Sequence, residues 1–122
     1  MAWSRRAALI LFWPAVAVVV WGELSPSAGD PFELWDKLLH FTAYFGLAGI
    51  ATVGLGGGRR ALWAALGLAF LGGGLELVQG LVGRDMSFYD EIANTLGVMT
   101  GTLIGWLYLG RPWALVEARR AD

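Results

Sequence analysis

A single histidine, with carboxyl and amide side chains spaced at helical intervals around it, forms the part of this chain best suited to chemistry. Asp36, His40 and Tyr44 recur every four residues. On a helix they share a face, so Asp36 is placed to orient the His40 imidazole. Glu76 and Gln79, three apart, share a second face, and Asp90, Asn94, Gly97 and Gly101 form a stripe on a third. An imidazole oriented by a carboxylate is a general base, with Glu76 or Asp90 as the acid or second base. The catalytic candidates are therefore His40, Asp36, Glu76 and Asp90. Imidazole and carboxylates also suit several divalent ions, with His40, Glu76 and Asp90 as the ligand set. One histidine and no HExxH-like spacing give no metal signature, so neither metal nor cofactor is expected. Ser87 lacks the glycine pattern of a nucleophile elbow.

Such residues must be carried by elements, and the rest of the sequence says which. The chain has 122 residues, 57% of them hydrophobic and only 16% charged, with 18 Gly and no Cys. Its mean hydropathy is +0.57. That is too apolar for an ordinary soluble domain of this size. The absence of cysteine excludes disulfides, iron–sulfur clusters and thiolate zinc sites. A net charge of −1 with no clustered basic face argues against a nucleic-acid partner.

Four apolar runs are separated by charged or glycine-rich breaks: Ala7 to Gly22, Leu38 to Leu55, Ala61 to Val82 and Ile92 to Leu109. A span needs roughly 17–25 apolar residues, which makes the first run marginal and qualifies the others. The first could instead be a signal peptide, but Pro26 spoils the only small-residue exit, Ser25-Pro26-Ser27-Ala28, and an uncleaved helix is expected. Trp3 and Trp21 would put indoles at its two interfaces. Asp30-Pro31-Phe32-Glu33 reads as a helix start, so the second helix is expected to begin near Pro31. The expectation is an all-α integral membrane four-helix bundle, one domain over 1–122, with helices at about 5–22, 31–55, 61–82 and 88–109.

Loop charges orient it. With the N-terminus inside, Arg5, Arg6, Arg59, Arg60, Arg111, Arg119 and Arg120 are cytoplasmic, and only Lys37 and Arg84 lie outside. This positive-inside bias predicts both termini in the cytoplasm. Asp36, Lys37, His40, Glu76, Gln79, Arg84, Ser87, Asp90 and Asn94 then gather at the outer level, while the inner halves are almost wholly apolar. Glu76 lies deepest, and an acid inside a span costs about 2.5–3.5 kcal/mol on insertion scales, so it should face partners or water. The ladder Gly97-x3-Gly101-x3-Gly105 suits close helix packing and would turn Asp90 and Asn94 inward. Plainer readings stand beside these: Ser87-x-x-Asp90 as a capping box, Lys37 and Arg84 as snorkelling cations, and His40 as a hydrogen-bonded structural residue. Gly72-Gly73-Gly74 reads either as close packing or as a softened helix beside Glu76.

The ordered set Asp36-Lys37-x-x-His40-Phe41-x-x-Tyr44, Glu76-x-x-Gln79 and Arg84-x-x-Ser87-x-x-Asp90-x-x-x-Asn94-x-x-Gly97 resembles the VanZ-like membrane protein family, over about 36–105. The short connection from Val82 to Asp90 is a mild departure that leaves little room for an outer loop. The resemblance implies a multi-helix protein of the cell envelope, in a family whose founding members lower susceptibility to teicoplanin; it implies no settled activity. Three functions follow in order. The first is an outer-leaflet pocket that binds or modulates a lipid-linked cell-wall precursor or a lipoglycopeptide, with Lys37 and Arg84 meeting phosphate or carboxylate. The second is an enzyme acting on such a lipid by acid/base chemistry. The third is a structural protein whose polar groups satisfy one another. Membrane lipids are expected partners in all three. A proton or ion path is disfavoured, because the inner halves offer no polar steps.

Overall fold

A computed structural model describes residues 2–24, 33–83 and 87–110. The described residues form four helices and no strand: α1 (Ala2–Leu24), α2 (Glu33–Leu55), α3 (Gly58–Leu81) and α4 (Phe88–Leu109). The all-α expectation holds. All four are long and apolar enough to cross a membrane. At 1.5 Å per residue, helices of 22 to 24 residues extend for about 33–36 Å, against a hydrocarbon core of about 30 Å. The expected helix at about 5–22 is longer at both ends, and the third begins at Gly58 rather than Ala61. Asp30, Pro31 and Phe32, on which the expected start of the second helix rests, lie outside the described residues, as does the Ser25–Ala28 exit.

Short connections force neighbouring helices antiparallel. The α2–α3 turn uses Gly56, Gly57 and Gly58 in succession, at φ 76°, 75° and 69°. Only glycine takes these left-handed values without strain, which is the physical reason for the glycine run there. Trp3 and Trp21 stand at opposite ends of α1 and are both exposed, as interface anchors should be.

The tightest seam joins α2 to α4. Gly97, Gly101 and Gly105 face α2 so closely that a Cβ on Gly97 would run into the Phe41 carbonyl oxygen and one on Gly101 into that of Phe45. A Cβ on Gly105 would sit 2.7 Å from the Thr52 Cβ. The small-residue ladder thus brings two backbones together, as small residues do where lipid removes the usual hydrophobic drive for helix association. Tyr44, Leu47, Ala48, Leu68 and Val98 form the buried core beside this seam. α1 packs chiefly on α2 and lightly on α3.

Candidate functional site at the polar end of the bundle

The up-and-down order puts the end of α1, the start of α2, the end of α3 and the start of α4 at one end of the bundle. Each delivers a polar side chain there. His40, on α2, is buried, and its Nδ1 lies 2.9 Å from Asn94 Oδ1 on α4. Asn94 is wholly buried, and its amide nitrogen donates to Glu91 Oε2 at 3.3 Å. That second bond turns the Asn94 oxygen toward His40. Nδ1 must then carry the ring proton, and in the neutral imidazole Nε2 is left with a lone pair.

Nε2 points at two carboxylates, 3.9 Å from Asp36 Oδ2 and 3.9 Å from Asp90 Oδ2. Both distances exceed a hydrogen bond. The expectation that Asp36 orients the imidazole is therefore refined: Asn94 does so directly, and Asp36 stands off. Glu23 Oε1, from the last turn of α1, lies 3.6 Å from Nδ1, and the Tyr44 hydroxyl is turned toward the same carboxyl group. Lys37 Nζ sits 3.7 Å from Asp90 Oδ1 and 5.9 Å from the centre of the Tyr89 ring. This partly exposed lysine is thus tied to the cluster.

Glu76, from α3, accepts the backbone N–H of Ser87 at 3.1 Å. In a capping box Asp90 would take that N–H. Here an acid from a neighbouring helix takes it, and Ser87 makes no side-chain cap bond at the start of α4. Asp90 is thereby released to face His40 and Lys37. Gln79 does something different: its Nε2 donates to the Glu23 carbonyl oxygen at 2.7 Å, satisfying one of the orphan acceptors at the end of α1. Gly72 is a close-packing position, since a Cβ there would meet Glu91 Oε2 at 2.8 Å and Asn94 Nδ2 at 2.9 Å, whereas one on Gly73 would make only ordinary contact with Glu91, at 3.6 Å or more. Gly74 faces open space.

Of the residues singled out from the sequence, Asp36, Lys37, His40, Asp90 and Asn94 meet directly. Glu76 is near enough to interact electrostatically with Asp90 and His40. Gln79 and Ser87 serve through backbone contacts, and Arg84 lies outside the described residues. Two members escaped the sequence reading. Glu23 reads there as the start of a loop, although an acid in the last turn of an apolar run already lies at the right level. Glu91 is hidden beside Asp90, although it stands three residues before Asn94 and four before Thr95, whose hydroxyl donates to it at 3.5 Å.

Chemically the cluster is rich in acceptors. Glu23, Asp36, Glu76, Asp90 and Glu91 supply five carboxyl groups beside Lys37 and a single imidazole. Glu76 Oε1 and Asp90 Oδ1 are buried and accept no hydrogen bond from the described residues, though Lys37 stands 3.7 Å from the latter. A separate open groove of about 250 Å³, lined by Arg59, Leu62, Trp63 and Leu66, lies at the start of α3. It is apolar and about 15 Å or more along the helix from Glu76, so it is no part of this site. Searches with the chain find no matching family model, no matching curated protein and no matching solved structure.

Proposed function

We propose that the protein is a VanZ-like component of the cytoplasmic membrane whose polar end faces outward and binds the head group of an envelope amphiphile, either a lipid-linked cell-wall precursor or a lipoglycopeptide. The family reading is supported by the ordered set from Asp36 to Gly97, and the orientation by the arginine-rich breaks at the opposite end from Lys37.

The observation that carries the reading is the surplus of buried acceptors. A buried polar atom without a hydrogen-bond partner costs about 1–3 kcal/mol. Among the described residues Glu76 Oε1 is such an atom, and Asp90 Oδ1 has only the Lys37 ammonium at 3.7 Å, in a cluster fed by all four helices. A head group rich in hydroxyl and amide donors satisfies them. Lys37, with 28% of its side chain exposed, meets the phosphate or carboxylate of the same molecule. A second reading, an acid/base enzyme acting on that lipid, draws on the lone pair that His40 presents at Nε2.

The test is binding in lipid nanodiscs, with labelled teicoplanin and a polyprenyl-diphosphate glycopeptide as probes. A charge-assisted contact is worth about 1.5–3 kcal/mol, so Lys37→Ala and Glu76→Ala should each weaken binding about tenfold or more. Turnover of the labelled lipid would favour the enzyme. Failure of both probes to bind, or binding indifferent to both substitutions, would overturn the amphiphile reading.

A further inference from the structure

Three ligand atoms converge at the polar end, and among the described residues the nearest cation, Lys37, approaches only the far oxygen of Asp90, Oδ1, at 3.7 Å. Asp36, His40 and Asp90 each offer one atom, and the three lie within 4.8 Å of one another. His40 Nε2 is 3.9 Å from a carboxylate oxygen on either side. Three acceptors facing one another are unfavourable unless a cation sits among them. A proton on Nε2 would pair with the two aspartates by charge alone, since no described side chain comes within hydrogen-bonding reach of this nitrogen, whereas a metal ion would bond all three atoms.

Independent support comes from the imidazole itself. The His40 side chain is 7% exposed, and its Nδ1 faces Asn94 Oδ1, whose amide is held in turn by Glu91. A histidine whose far nitrogen donates to a fixed oxygen is the outer-shell arrangement of metal-binding imidazoles: it fixes the tautomer and aims the lone pair. Asp90 is 5% exposed; its Oδ1 faces Lys37 at 3.7 Å, which leaves Oδ2 turned toward Nε2.

We propose that Asp36, His40 and Asp90 form a binding site for a divalent transition-metal ion, held by Nε2 of the imidazole and one oxygen of each aspartate. One nitrogen and two carboxylate oxygens suit zinc, manganese or iron(II). Zinc bonds of about 2.0–2.2 Å at tetrahedral angles place ligand atoms about 3.4 Å apart. The two 3.9 Å separations need to close by about 0.5 Å each, and the separation between the two aspartate oxygens, within 4.8 Å, by up to about 1.4 Å, which rotation of the two aspartate side chains supplies. The charge of two carboxylates is matched by one dication. Asp36, with 36% of its side chain exposed, marks the open side, and three protein ligands leave a fourth position there for water or a substrate oxygen. The set differs from the one the sequence suggests: Asp36 replaces Glu76, whose Oε2 holds the Ser87 N–H and which is not among the three residues whose ligand atoms converge.

The assignment stands on geometry and does not depend on the amphiphile, so its test uses metal alone. Full-length protein in detergent is stripped with chelator and titrated with Zn²⁺ by calorimetry and with Co²⁺ by visible absorption. One ion per chain is expected, with Co²⁺ ligand-field bands that Zn²⁺ abolishes and a Zn²⁺-dependent rise in melting temperature. Asp36→Asn and His40→Ala should each remove the bands, while Asn94→Ala, which disturbs only the support of His40, should weaken binding about 10–100-fold. Asp36 lies at the exposed rim, so Asp36→Asn tests the site even if His40→Ala fails to fold. The proposal is overturned by the absence of saturable one-to-one binding in the wild type, or by binding that persists unchanged in folded Asp36→Asn.

Discussion

Gly97→Ala tests the dependence of the site on the helix seam beneath it. Gly97 is three residues from Asn94, and a Cβ there would collide with the Phe41 carbonyl oxygen, with Phe45 N at 3.0 Å and the Phe41 carbonyl carbon at 3.2 Å as further neighbours. All three are backbone atoms of α2, so no side-chain rotation relieves the clash. Ordinary contact between such atoms is about 3.5 Å or more, and the helices must therefore part by about 1 Å. Overpacking of this kind costs about 1–3 kcal/mol. The His40–Asn94 bond spans the same seam at 2.9 Å and would be stretched to nearly 4 Å, past the limit of a hydrogen bond. Unfolding in mixed micelles should show the stability loss. The ¹⁵N spectrum of the imidazole, simplified by there being one histidine in the chain, should show loss of the fixed tautomer. Gly46→Ala is the control, since nothing lies within 4 Å of its Cβ. If Gly97→Ala keeps both wild-type stability and the wild-type imidazole spectrum, the close α2–α4 contact is not what positions the site.

Two further substitutions separate the roles within the cluster. Glu76→Ala leaves the Ser87 N–H without its acceptor and should cost about 1–3 kcal/mol, whereas Glu76→Gln keeps an oxygen at that place and should retain most of the stability; mixed-micelle unfolding of the pair decides. Gly72→Ala pushes on Glu91 and Asn94 and should lower stability and disturb the His40 spectrum, while Gly74→Ala, facing open space, should be neutral or stabilising by up to about 1 kcal/mol from helix propensity.

The four spans, the glycine seam and the level at which the polar residues gather were legible in the sequence because each follows from periodicity or hydropathy along one segment. Contacts between segments were not. Spacing puts Asp36 one turn from His40, which makes it look like the orienting partner, but the partner is Asn94, fifty-four residues away. The Ser87-x-x-Asp90 pattern likewise suggests a box closed within α4, because local spacing cannot show that Glu76 of α3 takes the Ser87 N–H first. Gly72 illustrates the same limit: its reason lies on α4, where Glu91 and Asn94 need the room.

Charge sign links the two proposals. A pocket for an anionic head group should be basic, yet among the described residues five carboxyl groups surround one histidine and one lysine. Lys37 alone does not reverse that, because Asp90 already draws on its charge at 3.7 Å. A dication between Asp36, His40 and Asp90 would reverse it locally, presenting a positive open position at the exposed rim while the inner acids keep their role as acceptors. Anion binding should then depend on the metal, whereas sugar or amide recognition through Glu76 should not. Measuring the affinity of a short-chain polyprenyl diphosphate and of its phosphate-free glycoside, each with and without Zn²⁺, separates the two contributions. A diphosphate that binds equally well in the presence of chelator would sever this link and return anion recognition to Lys37.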